Sequence, residues 1–193
     1  MSAMLETIIG VVIVGMIIIT VLQIQANFST QHIIDNQSYS AQIDAYSLNR
    51  QLNQDISSIG YNLLDFASSI IDATADSIMF KTDLDDDAVA DTVSIYTRNF
   101  AVDTTTNPYD FEIIRDIGGT EFNYNTAGLT DFEFRFFDTT GAETAVLANI
   151  RLISYRFEVM GTEPAESGND SLRFNYPISA GEERVFIKNL YNW

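Results

Sequence analysis

Residues 1–25 read MSAMLETIIGVVIVGMIIITVLQIQ, and from Ile8 to Leu22 only two glycines and one threonine interrupt Ile, Val, Met and Leu. With Met4 and Leu5 included, about 18 to 20 residues rising about 1.5 Å each would match the hydrocarbon of a bilayer. Whatever else the chain forms, this stretch needs apolar surroundings. A cleaved secretory signal would begin with basic residues and end at a small-residue site. Here the first Lys or Arg is Arg50, and Gln25-Ala26-Asn27-Phe28 continues without an Ala-x-Ala. The stretch therefore reads as a retained anchor. It lacks the flanking Lys or Arg that usually marks the cytoplasmic side.

Glu6 stands just before the apolar run. A carboxylate at the edge of a lipid-soluble helix is costly and calls for a partner. The cation within reach at this end of the chain is an α-amino group. The competing reading is a helix-start acid that interacts favourably with the macrodipole.

The sequence beyond the anchor stays free of helix breakers for a long way. Composition turns from apolar to Gln, Ser, Asn and Asp at Asn27, yet no proline occurs before Pro108. Ala45, Leu48, Leu52, Ile56 and Ile59 recur at spacings of three and four, an apolar stripe opposite Asn49, Arg50, Asn53 and Ser57. Gly60 follows as the C-cap. These features predict one helix over residues 4–59, about 80 Å long. Its periodicity weakens between Asn27 and Ser38, where a frayed segment is expected. The chain thus divides into an apolar helix over 1–26, an amphipathic continuation over 27–60 and a globular domain over 61–193.

After a connector from Leu63 to Ala75, with a helical turn expected around Phe66 to Ile71, the period changes to two. Strands are predicted at Ser77–Lys81, Thr92–Arg98, Phe111–Asp116 (stopped by Gly118-Gly119), Asp131–Phe137, Ile150–Met160 and Glu183–Leu190. Phe132, Phe134 and Phe136 fall on one face, as do Ile153, Tyr155, Phe157 and Val159. Loops of hairpin length imply antiparallel pairing, so the expected class is α+β: a long N-terminal helix on an antiparallel sheet.

Taken together, these residues resemble the type IV pilin and pseudopilin family, and its minor pilin-like branch in particular. If Met1 is removed, Ser2-Ala3-Met4-Leu5-Glu6 places the glutamate fifth, as in that family. Asn53-Gln54-Asp55-Ile56 to Gly60-Tyr61, Asp76 to Phe80 with the Asp-rich loop and Asp91-Thr92-Val93, Asn149-Ile150-Arg151, and Arg184 to Leu190 also fit it. The resemblance implies a lollipop-shaped subunit that leaves an inner membrane to join a helical filament, a surface pilus or a periplasmic pseudopilus. It implies homo-oligomers or other pilin-like subunits as partners. It gives Glu6 the role of pairing with a neighbour's N-terminal amine, and Ile9, Ile13 and Ile17 places in the filament core.

Charge and chemistry narrow the alternatives. With 27 acidic against 10 basic residues and a net charge of −17, the chain lacks the basic face that nucleic acid requires. The absence of cysteine removes thiolate metal sites and cysteine nucleophiles. His32, the single histidine, lies beside the membrane segment with no second ligand type at helical spacing, which speaks against both metal and hydrolase roles. No enzyme or organic cofactor is therefore expected, and the Phe and Tyr content reads as core. Asp83, Asp85 and Asp87, with Asp91, offer oxygen at alternate positions for calcium, although Ala88 and Ser94 replace the Gly and Glu of an EF-hand. The other reading of this loop is an exposed hairpin tip. Two further functions stay open: a tip adhesin using the loops Thr104–Asp110 and Thr162–Asp170, and a single-pass anchor presenting an acidic binding domain that does not polymerise.

Overall fold

A computed structural model describes residues 2–63, 68–99, 110–124, 128–160 and 178–190. The helix α1 (Ser2–Ser57) runs unbroken. Neither proline nor glycine occurs between Gly15 and Gly60, so the segment expected to fray keeps its ladder despite its weak period. Among the described residues it is the one helix long and apolar enough to cross a membrane.

The two halves of α1 meet different surroundings. Ala41, Ala45, Leu48, Leu52 and Ile56 are buried against the domain, where the helix lies along β7 (Leu152–Met160) and β8 (Ile178–Phe186). The large side chains of the apolar half are exposed, with no other described element against them. Past Ser57 the chain turns through Ile59, which is fully buried, to Gly60 at φ +73. A side chain at Gly60 would be strained in that left-handed conformation and would crowd Ser69 Oγ and Leu190 Cδ2. The open carbonyls of the helix end are met from far along the chain: Asn189 Nδ2 donates to Ser57 O at 3.2 Å and to Ile59 O at 3.1 Å.

The strands divide between two antiparallel sheets. The first joins β1 (Ile70–Ala73), β2 (Ser77–Thr82), β3 (Asp91–Asn99), β4 (Phe111–Ile117) and β5 (Thr120–Asn123) in chain order; the second joins β6 (Leu129–Phe137), β7 and β8. Inner-face residues of both sheets form one core with the helix stripe. Register pairs Phe132 with Phe157, Phe134 with Tyr155 and Phe136 with Ile153. The alternation expected on each strand is therefore the packing seam. Tyr155 crosses from that seam to the helix, its hydroxyl bonded to Asn49 Oδ1 at 2.6 Å and Asn49 O at 3.1 Å.

Several boundaries differ from the sequence reading. Ile70 and Ile71, expected in a helical turn, belong to β1, because Ile70 pairs across to Phe80 and buries its side chain. Gly118 and Gly119 do not end the sheet. At φ 56 and 91 they form a tight turn that brings β5 back onto β4. β7 begins at Leu152 after a 3-10 turn over Leu147–Asn149, and β8 starts at Ile178 and stops at Phe186. Lys188–Leu190, expected as strand, is a 3-10 turn, and that geometry brings Asn189 to the helix end.

Leu52 is fully buried at the helix–sheet seam while Leu22 is 59% exposed. Leu52→Ala should cost the domain about 2–5 kcal/mol. Leu22→Ala should leave it within about 0.5 kcal/mol. Thermal melting of the whole chain in detergent micelles tests this, and equal shifts would refute the division of the helix.

Candidate functional site

Three places in the molecule hold groups that could act. The first is the apolar half of α1. Ile9, Ile13 and Ile17 are 50%, 53% and 56% exposed, with every large side chain from Met4 to Ile24 similarly bare. Glu6 is exposed within the helix, and the first turn holds no acidic residue. Dipole stabilisation fades beyond that turn, so it does not account for a carboxylate here. What the arrangement offers is a rod of branched aliphatic side chains with a single charge near its tip.

The second is the loop between β2 and β3. Asp83, Asp85 and Asp91 each bring a carboxylate oxygen within 4.8 Å of the other two; Asp87, expected in the same set, lies outside it. Asp87 Oδ1 instead accepts the backbone N–H of Val89 at 2.8 Å. The expectation of an exposed tip holds for residues 84–90 but not for Asp83, which is buried. Its Oδ1 accepts from Asp87 N at 3.2 Å, and its Oδ2 from Ala88 N at 3.0 Å and from the Asn62 amide. Those bonds hold Asp86 and Ala88 at φ 60 and 63. Burial pushes the Asp83 carboxyl up, but the Asn62 amide and the backbone N–H groups outweigh it and leave it below its ordinary value. Asp85 is pushed up, first by the charge of Asp87, then by burial and by Asp91 and Asp83.

The third place was not legible in the sequence. Asp55, on the last turn of α1, pairs its Oδ1 with Arg115 Nη2 of β4 at 3.0 Å and accepts the Tyr124 hydroxyl on Oδ2. Burial pushes the Asp55 carboxyl up; the Tyr124 bond and the Arg115 charge oppose this without cancelling it. Tyr124 is driven well up by burial and by the Asp55 charge. Beside this triad lies a cavity of about 260 Å³ lined by Gln51, Gln54, Asp55, Arg115, Phe122, Asn123 and Tyr124. The triad fastens the helix end to the first sheet. The Asp55 and Arg115 charges face one another, although Arg115 Nε is buried without a hydrogen-bond partner, and such a pair suits a structural tie better than a reacting group.

His32 lies exposed on α1, against Phe28 at 6.3 Å between ring centroids. The two loops expected for recognition, Thr104–Asp110 and Thr162–Asp170, lie outside the described residues apart from Asp110. Comparison with protein-family models, with curated proteins and with solved structures gave no match. The functional reading therefore rests on the chain's own residues and geometry.

The all-oxygen, anionic set of Asp83, Asp85 and Asp91 fits a hard cation such as calcium. A cation there would relieve the crowding at Asp85. For a site of about 0.1–1 mM affinity, 10 mM calcium should add about 1–3 kcal/mol. The domain should then melt a few degrees higher in calcium than in a chelator, and Asp85→Asn should abolish the difference. Equal melting temperatures for the unaltered chain would leave the loop a self-capped hairpin tip.

Proposed function

We propose that this chain is a structural subunit of a type IV pilus-like or pseudopilus filament, assembled through its apolar N-terminal helix. The observation that carries this reading is the contrast within α1: a stripe from Ala41 to Ile56 is buried in its own domain, and residues 4–24 expose Ile, Val, Leu and Met all round. Such a surface is stable in lipid, or against copies of itself. Moving it from the membrane into a bundle of like helices exchanges one apolar environment for another, and a helical array lets every copy do so equivalently. The chain waits in an inner membrane and ends in a filament outside the cell or within the periplasm.

Glu6 supplies what the aliphatic surface lacks. Apolar contacts alone would permit many axial offsets. A carboxylate in the filament core is strongly destabilised unless paired, and the amine of the adjacent subunit is the partner at the right end of the helix. The pair fixes register and rejects wrong dockings more than it adds stability. The exposed acidic surface of the domain keeps the finished polymer soluble.

Filament yield at matched membrane expression tests both parts. Glu6→Gln and Glu6→Ala should insert normally yet assemble poorly, and Ile13→Asp or Ile17→Asp should give no filaments. Normal polymers from the isoleucine variants would remove this helix from the core. Equal yields from the glutamate variants would remove Glu6 from assembly.

A further inference from the structure

The charges on the helix are few. Along α1 the acids and bases other than tyrosine are Glu6, His32, Asp35, Asp44, Arg50 and Asp55. Asp55 is tied to Arg115 and Tyr124. Asp44 is half-buried, and burial pushes its carboxyl up. Glu6 and His32 lie in or beside the apolar half, and Asp35 and Arg50 remain, both exposed. Among the described residues Asp35 accepts only a neutral amide, from Gln31 at 3.1 Å.

Arg50 is set apart from the other arginines. Arg98, Arg115, Arg135, Arg156 and Arg184 each meet a carboxylate within 4.0 Å, and Arg151 donates to the backbone carbonyls of Ala148 and Ile150. Among the described arginines only the Arg50 side chain has neither an ion pair nor a hydrogen bond. Lys81 and Lys188 also form no ion pair among the described residues, but Arg50 is the cation that stands on the helix itself, in a chain of net charge −17. It stands beside a groove of about 360 Å³ lined by Tyr46, Asn49, Arg50, Asn53 and Gln54.

The face that bears these two charges is also apolar. Phe28, Tyr39, Ile43 and Tyr46 are 65%, 66%, 49% and 71% exposed. At about 100° per residue they lie with Asp35 and Arg50 on the side of α1 turned away from the buried stripe. Fifteen positions separate the two charges, which leaves them within about 60° of one another and about 22 Å apart along the axis. They are too distant to pair within one copy, and they share a face continuous with the bare apolar half.

We propose that Arg50 of one copy pairs with Asp35 of a second copy of this chain, displaced along the filament axis by about 22 Å, on the aromatic face of α1. The inference rests on the filament reading above and adds a second register contact to it. Glu6 against an N-terminal amine requires an offset of only about 7 Å, so the two pairs join different neighbours and fail independently. Tyr39, Ile43 and Tyr46 exclude water around the ion pair, which strengthens it and makes a mismatched offset costly.

Charge exchange provides the test. In full-length chains at matched membrane expression, Arg50→Glu and Asp35→Arg should each lower filament yield about tenfold, and the double exchange should restore it. Because neither side chain packs in the domain, melting temperatures should stay unchanged. A second measurement does not depend on yield: since the chain has no cysteine, Arg50→Cys and Asp35→Cys copies can be co-assembled and treated with a short bis-maleimide. Dimers should form only when both variants are present. Single variants with full yield, a double exchange no better than the singles, or filaments that give no mixed dimer would each overturn the pair. Failure of the unaltered chain to form filaments would overturn the filament reading itself, and the pair with it.

Discussion

The burial of one stripe of α1, and the exposure of everything N-terminal to it, governs the rest of the structure. Leu48, Leu52, Ile56 and the neighbouring alanines close the core by lying on β7 and β8. Burying an aliphatic side chain of that size is worth about 1.5–3 kcal/mol. Among the described residues no such partner exists for residues 4–24. Because the ladder is continuous from Ser2 to Ser57, the domain holds the apolar half as a rigid extension. Anything that fixes the domain in space also fixes the direction of that half.

Polar ties at the domain end make this rigidity effective. Asn189 meets the open carbonyls of the helix end, Tyr155 is bonded to Asn49, and Arg115 and Tyr124 converge on Asp55. Each joins the helix to a different part of the fold: the C-terminal turn, the second sheet and the first sheet. Rotation of α1 about its own axis would break all three. The helix face turned away from the domain is thereby fixed, and in the proposed filament the charges and aromatic groups on it would act as an address. A polymer of such subunits carries strong like charge, and the repulsion is screened beyond about 8 Å at physiological salt. Contacts close to the axis then decide cohesion, while the acidic exterior governs solubility.

Much of this architecture was legible in the sequence where a single period ruled. The helix was visible because apolar residues recur at three and four without Pro or Gly, and Phe132, Phe134 and Phe136 were visible as an inner face because they alternate with charges. Residues 27–38 misled because periodicity reports burial, and an exposed stretch of helix has none to report. β1 and β5 are four residues long, too short for a period of two to emerge, and Gly118-Gly119 serves equally as a stop or as a turn. The division into two sheets depends on long-range pairing. Asp83 looked like a member of an exposed acidic run, but the side chain turns inward to hold backbone N–H groups that the turn leaves open. The Asp55 triad needs partners far along the chain, and no local pattern announces them.

The central claim is that the bare half of α1 finds its apolar surroundings in copies of itself. Electron cryo-microscopy of material sheared from cells and kept free of detergent tests it most directly. The expected result is a helical filament with residues 4–24 of successive copies packed around the axis and the β domains outside. A chain recovered solely as single detergent-bound copies, with no polymer, would contradict it.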